Sequence, residues 1–167
     1  NTLRVGGVPV MYWPSYEGEA GEIPLRRAKI GYKNNFGVVI ETKWDLFTLL
    51  GEPTPEGLDA DVRIDGYTER GIGVGLDFKY DLGESKGMFN TYLLSDSNTQ
   101  KTISGIETPV PQDNRGYILW ENETELDAYW TLQTQFSYIS DPTYMSVWRQ
   151  QEYQNHLEYE TSIYVAR

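Results

Sequence analysis

The chain has 167 residues, with 14 lysines and arginines against 25 aspartates and glutamates, a formal net charge of −11. That balance excludes nucleic acid as a partner, because phosphate binding needs a basic footprint. The lack of cysteine excludes a disulfide framework, Cys-ligated zinc and a thiol nucleophile, and no apolar run approaches the ~18 residues of a membrane-spanning helix.

Residues 1–22 differ in kind from the rest. A Gly-Gly turn leads into 8–14, with Pro9 and Pro14 near its ends, and then into an acidic, Gly-rich link. This reads as the end of one unit entering another. The start at Asn1, with no leader pattern after it, reads as a mature or internal piece.

From there the apolar period is two, the period of a strand. Ala28, Ile30 and Tyr32 alternate with Arg27, Lys29 and Lys33, and the turn Asn34-Asn35-Phe36-Gly37 leads into a strand over 38–47. There Val38, Ile40, Trp44 and Leu46 oppose Glu41, Lys43 and Asp45. In 58–66 (LDADVRIDG), Leu58, Ala60, Val62 and Ile64 oppose Asp59, Asp61, Arg63 and Asp65. After the TERG turn, Val74, Leu76, Phe78 and Tyr80 oppose Gly75, Asp77, Lys79 and Asp81, which completes a β-hairpin. Residues 87–94 and 117–126 read as strands with weaker alternation. Trp130, Leu132, Phe136 and Tyr138 share one face of the next strand, and Leu157, Tyr159, Ile163 and Val165 one face of the last. The best helical segment is 144–155; 95–116 and 141–155 are the long connections.

One-sided alternation has two physical solutions. A soluble sheet puts its apolar face on a core and its polar face in water. A membrane β-barrel turns the apolar face to lipid and the polar face to a wet lumen, with aromatics at the interfaces. Here the polar faces carry many charges, no helix or second apolar sheet completes a soluble core, and Tyr32, Trp44, Tyr80, Trp130, Tyr138 and Tyr159 sit near strand ends. The roughly seven to nine strands of about ten residues also exceed the usual length in soluble sheets. The expected fold is all-β: antiparallel up-and-down strands forming part of a large outer-membrane β-barrel.

The acidic set Asp59, Asp61, Asp65, Asp77 and Asp81 suits a glycosidase pair or a calcium site. No spacing matches a ligand loop, and Arg63 and Lys79 are interleaved, so a solvated face is the preferred reading. Glu121, Glu123 and Glu125 read the same way. Asn122-Glu123-Thr124 fits a glycosylation sequon. GIGVG at 71–75 precedes no helix and is a small-residue strand start, not a phosphate loop; His156, the lone histidine, has no partner cluster.

Residues 7–16, GVPVMYWPSY, resemble the GVPVFY-P-Y passage of the LptD family of lipopolysaccharide-assembly outer-membrane proteins. Three passages follow in the family's order. Residues 26–47 resemble the first barrel hairpin, with Trp44 similar to the family's YYWN, and 67–80 resemble its Y-x-x-R-G…F-x-Y hairpin. Residues 115–144 resemble a third passage through Arg115, Trp120, Asn122, Trp130, Tyr138 and the run Ser140-Asp141-Pro142-Thr143-Tyr144, the most specific element.

The resemblance implies a non-enzymatic segment, without cofactor or metal, of a protein in the Gram-negative outer membrane. Such a protein takes lipopolysaccharide from an LptA-like periplasmic bridge and inserts it into the outer leaflet, with an LptE-like plug lipoprotein in its lumen and outer-membrane lipid around it. By position, 1–22 would be the end of a periplasmic jellyroll and its linker, hinged at Val8, Pro9, Tyr12 and Pro14, and 23–167 the N-terminal barrel strands. Arg27, Lys29, Gly31 and Lys33 would lie on the gate strand. Asp59, Asp61, Arg63, Asp65, Asp77, Lys79 and Asp81 would line the lumen. Two departures carry consequences. Family members often place proline in the first two strands, which weakens the ladder there; here Pro24 precedes the first strand and 38–47 has none. An acidic lumen would also repel phosphorylated sugars unless divalent cations intervene. The alternative is a secreted, soluble β-sandwich that binds or hydrolyses carbohydrate through its acidic and aromatic residues, Trp130, Gln133 and Gln135 among them. A purely structural β-domain is the third reading.

Overall fold

The computed structural model describes residues 2–5, 8–12, 23–96, 100–101, 106–110, 113–149 and 159–167. Strands β1 (Thr2–Val5) and β2 (Val8–Tyr12) pair with each other as an antiparallel hairpin. The main sheet has eight strands: β3 (Leu25–Lys33), β4 (Gly37–Asp45), β5 (Leu58–Tyr67), β6 (Gly71–Asp81), β7 (Ser85–Ser95), β10 (Asn114–Glu125), β11 (Thr131–Ile139) and β12 (Ser162–Ala166). Between β7 and β10, the two-residue strands β8 (Gln100–Lys101) and β9 (Glu107–Thr108) pair separately. The main sheet runs in sequence order from β3 to β12, every neighbour is antiparallel, and among the described residues both edges are open. This is the up-and-down meander of a barrel wall, laid out as one open sheet.

The sheet is inside out by the standard of a soluble protein. Register places Asp45, Asp61, Asp77 and Asn90 in one cross-strand row on one face. On that face Asp61 is 3% exposed, whereas Ile30 and Ile163 on the other face are 70% and 74% exposed. Among the described residues no second sheet covers the apolar side, so the packing of a β-sandwich is not present. The outward row Phe78–Phe89–Trp120–Phe136 crosses four adjacent strands, the aromatic–aromatic cross-strand pairing that stabilises sheets. Beside it Tyr80 donates to Asn122 Oδ1 (2.6 Å) and accepts from Trp120 Nε1 (3.2 Å). The Tyr80 ring crosses β7 because Gly87 stands opposite it, where a Cβ would lie 2.5 Å from the hydroxyl. Asn122 also accepts from Ser85 and donates to Thr124, so the sequon asparagine is held within the strand.

Three sequence expectations shift. The second strand stops at Asp45, and residues expected to continue it form helix α1 (Leu46–Leu50). Asp45 accepts from the Thr48 amide (2.7 Å) as N-cap, and Gly51 closes the helix in the left-handed region. The expected helix at 144–155 is the five-residue α2 (Tyr144–Trp148), ending at Arg149; residues 150–155 lie outside the described residues. The last strand is only Ser162–Ala166, and Tyr159 packs on Tyr117 of the polar side (ring centroids 6.1 Å apart), not in the apolar row. Leu157 and His156 also lie outside the described residues.

Candidate functional site

The polar face is sorted by register into charged rows. Arg27, Lys43 and Arg63 stand directly opposite one another on β3, β4 and β5, and two residues along lies Asp45–Asp61–Asp77 on β4, β5 and β6. Like charges opposite each other are destabilising, so each row leans on the other. Lys43 Nζ sits 2.5 Å from Asp61 and 3.6 Å from Asp77, and Arg63 is 3.0 Å from Asp77. Arg26, at the irregularity in the β3–β4 register, reaches Asp45, Asp59 (2.6 Å) and Asp61 (2.9 Å). Asp45, Asp59 and Asp61 have the spacing of a cation site, and the Arg26 guanidinium supplies the positive charge there.

All seven residues expected on a polar path lie on this face. Asp59, Asp61, Arg63 and Asp65 come from β5, and Asp77, Lys79 and Asp81 from β6. Arg27, Lys29, Gly31 and Lys33 share it on the open edge strand β3, where Lys29 and Lys33 both lie near Glu41, at 3.5 and 3.6 Å. Val8, Pro9 and Tyr12 lie in β2, and Pro14 lies outside the described residues.

What sequence reasoning missed is the cover. The segment 140–149, from β11 through α2, folds back onto the polar face. Tyr144, Met145 and Val147 are buried there with Tyr67, Tyr92 and Tyr117. Trp148 meets Phe36 and Tyr67 edge-on, with centroids 4.7 and 5.0 Å away, in the T-shaped arrangement that aromatic quadrupoles favour. Four fully or nearly buried charges tie the segment down. Asp96 accepts from Arg70 Nε (2.7 Å) and Nη2 (2.5 Å), from Arg115 Nη1 (3.0 Å), and from Trp148 Nε1 (3.3 Å). Arg115 also grips Asp141 with Nε (2.9 Å) and Nη2 (3.0 Å).

The Ser-Asp-Pro-x-Tyr run thus has a local reason. Asp141 accepts from the Thr143 amide (3.0 Å) and hydroxyl (2.6 Å) and from Ser140 Oγ (3.0 Å), a self-closed turn aimed at Arg115. Tyr144 then drops into the core. Burial pushes the Asp141 carboxyl up, but hydrogen bonds from Arg115 and Thr143 outweigh it, and its pKa lies below the ordinary value. Burial raises the Tyr144 hydroxyl above its ordinary value, so it stays protonated at neutral pH.

The glycines of GIGVG also find their reason. Tyr92 on β7 lies flat over β6, donating to Asp65 Oδ2 (2.8 Å) and meeting the Tyr67 hydroxyl at 3.2 Å. A Cβ at Gly73 would lie 2.0 Å from the Tyr92 hydroxyl oxygen, and one at Gly75 2.7 Å from its ring. Three cavities lie along the polar face. One of about 920 Å³ lies between Gly57 and Tyr164 and shares Met88, Glu121 and Gln135 with a second of about 460 Å³. The second shares Arg63 and Arg149 with a third of about 260 Å³ beneath α2.

The described sheet thus exposes an apolar face on one side and carries a polar, cavity-lined face on the other. The chain is similar to a lipopolysaccharide-assembly protein. It is 27% identical over 149 residues to the LPS-assembly protein LptD of Pseudomonas savastanoi pv. phaseolicola, covering 86% of this chain and 15% of that protein. The chain thus spans about 15% of the length of the relative it matches. No protein-family model matches it.

Proposed function

We propose that this chain is a stretch of the wall of an outer-membrane β-barrel in lipopolysaccharide transport, with no enzymatic role. The observation that carries it is the exposed apolar face of an eight-stranded sheet whose polar face, not its apolar one, holds the buried residues and the docked 140–149 segment. In water that face would be the core, whereas against lipid it needs no cover. The likeness to LptD supports lipopolysaccharide as the cargo. On this reading the polar face lines the lumen, β3 is the first gate strand, and the open edges pair with further strands, because an unpaired edge in lipid leaves backbone groups unsatisfied. An LptA-like bridge would feed the barrel through the unit of residues 1–22, and an LptE-like lipoprotein would plug it.

The test sets the two faces against each other in the full-length gene product. Leu76→Arg and Phe78→Arg place charge on the apolar face, where the cost is about 2–4 kcal/mol per residue near the bilayer centre. Both should abolish heat-resistant barrel in the outer-membrane fraction. A charge reversal at Lys79, the next residue along on the polar face, should leave assembly intact. Equal tolerance at 76, 78 and 79 would refute lipid exposure.

A further inference from the structure

We propose that Trp148 is a latch: through its contact with Phe36 the docked 140–149 segment clamps the turn of the edge hairpin β3–β4, so that segment and turn open together. The coupling is a matter of packing and holds whatever the wall carries. Among the described residues β3 is an outermost strand of the main sheet, exposed along nearly all its length, and few buried contacts are the mark of low local stability. The hairpin's turn is therefore the part that an extra contact can most readily control. It leans on the neighbouring turn by three hydrogen bonds. The Phe36 carbonyl accepts from the Glu69 amide (3.2 Å), the Val38 carbonyl from the Thr68 amide (3.1 Å), and the Val38 amide donates to Thr68 Oγ1 (2.9 Å).

The segment bridges the hairpin's strands and grips its turn. A cavity of about 260 Å³ lies between Arg27, Thr42 and Lys43 on the hairpin and Tyr144 and Arg149 on the segment. Past it, Trp148 stands edge-on to Phe36, with centroids 4.7 Å apart. Tyr67 closes the cluster, 5.7 Å from Phe36 and 5.0 Å from Trp148. The Arg70 guanidinium lies 5.6 Å from the Phe36 ring and 5.4 Å from that of Trp148, within cation–π reach of both. Asp96 binds Arg70 and also accepts from Trp148 Nε1 (3.3 Å). The groups that hold Phe36 are thus the groups that hold the segment. Lifting Trp148 strips Phe36 of its edge-on ring and opens Arg70 to water. By linkage, loosening the turn weakens docking by the same factor.

The experiment is residue-resolved hydrogen exchange in the purified full-length protein in detergent, across a urea series. In the wild type, the Val38 and Glu69 amides report the turn, and the Val147 and Arg149 amides, bonded to the Thr143 and Met145 carbonyls, report the segment. All four should lose protection at the same urea concentration, while the amides of β10, central in the sheet, stay protected. Trp148→Leu should raise exchange at Val38 and Glu69 about three- to tenfold, the scale of one aromatic pair. Phe36→Leu should raise it by the same factor at Val147 and Arg149. The double variant should exchange little faster than either single one, because both remove one shared contact. Separate transitions for turn and segment in the wild type, an unchanged turn in Trp148→Leu, or effects that multiply in the double variant would each overturn the latch. The wild-type series decides the matter even where a variant fails to assemble.

Discussion

The docking of the 140–149 segment should hinge on Asp96. Its carboxylate is 0% exposed and is shared by two guanidinium groups and an indole. The four buried charges balance: Arg70 and Arg115 against Asp96 and Asp141. Asp96→Ala leaves Arg115 with Asp141 but strips Arg70, 1% exposed, of its bidentate partner. A buried ion pair is weak evidence of net stability, because desolvation offsets attraction, yet removing one partner costs about 3–5 kcal/mol. That cost appears as local opening of the segment, with a rise of about 10²- to 10⁴-fold in the open population. The assay is urea-dependent trypsin cleavage after Arg149 in the full-length protein held in lipid. Asp96→Ala should bring cleavage to far lower urea, while Lys86→Ala, which breaks the surface pair with Glu123, should leave it unmoved. Arg70→Lys should give an intermediate loss, since an ammonium cannot reproduce the two-pronged contact. If Asp96→Ala and Lys86→Ala cleave alike, the network does not hold the segment.

Two further outcomes follow from the same geometry. Gly73→Val should cost about 1–3 kcal/mol or more through overpacking, since it displaces the Tyr92 hydroxyl from Asp65, whereas Gly66→Ala, with nothing within 4 Å of its Cβ, should stay within ~0.5 kcal/mol; yields of heat-resistant barrel compare them. The Asp141 carboxyl, with its pKa lowered in the folded state, contributes stability above the unfolded value of about 3.9. That contribution is lost as pH falls below it through the folded pKa. Docking should be constant from pH 5 to 8 and weaken below about pH 4, read by Trp148 fluorescence in a protein whose other tryptophans are phenylalanine. Constant docking down to pH 2 would refute it.

The strands and their faces were legible because period-two alternation needs no partner: Asp59-Ala60-Asp61-Val62 carries its own inside and outside. The turn at 68–70 was legible for the same local reason. Helix α1 was not, although its cap residues Asp45 and Gly51 stand in the sequence, because Leu46 continues the alternation of Trp44 past the true strand end at Asp45. The docked segment was opaque. Its anchors Arg70, Asp96, Arg115 and Asp141 are single residues near strand ends; motif likeness marked Arg115 and Asp141 without giving their role, and only strand order brings the four together. The role of Gly73 and Gly75 was hidden likewise, since the side chain that needs their bare backbone is Tyr92, on the next strand.

Net charge is a poor guide to what this face can hold. Read as a sum, −11 argues that the polar face rejects phosphorylated sugars without divalent cations. Register changes the question, because each cation acts over a screening length of about 8–10 Å, shorter than the face itself. Arg27, Lys43 and Arg63 form one row, and the aspartates beside them are answered by Lys43, Arg63 and Arg26. The excess negative charge is therefore carried elsewhere, on residues such as Glu121, Glu123 and Asp81 around the larger cavity. Register thus separates an acidic stretch around the larger cavity from the Arg27–Lys43–Arg63 row under α2, and the charge that a group on this face meets depends on the strand it lies over.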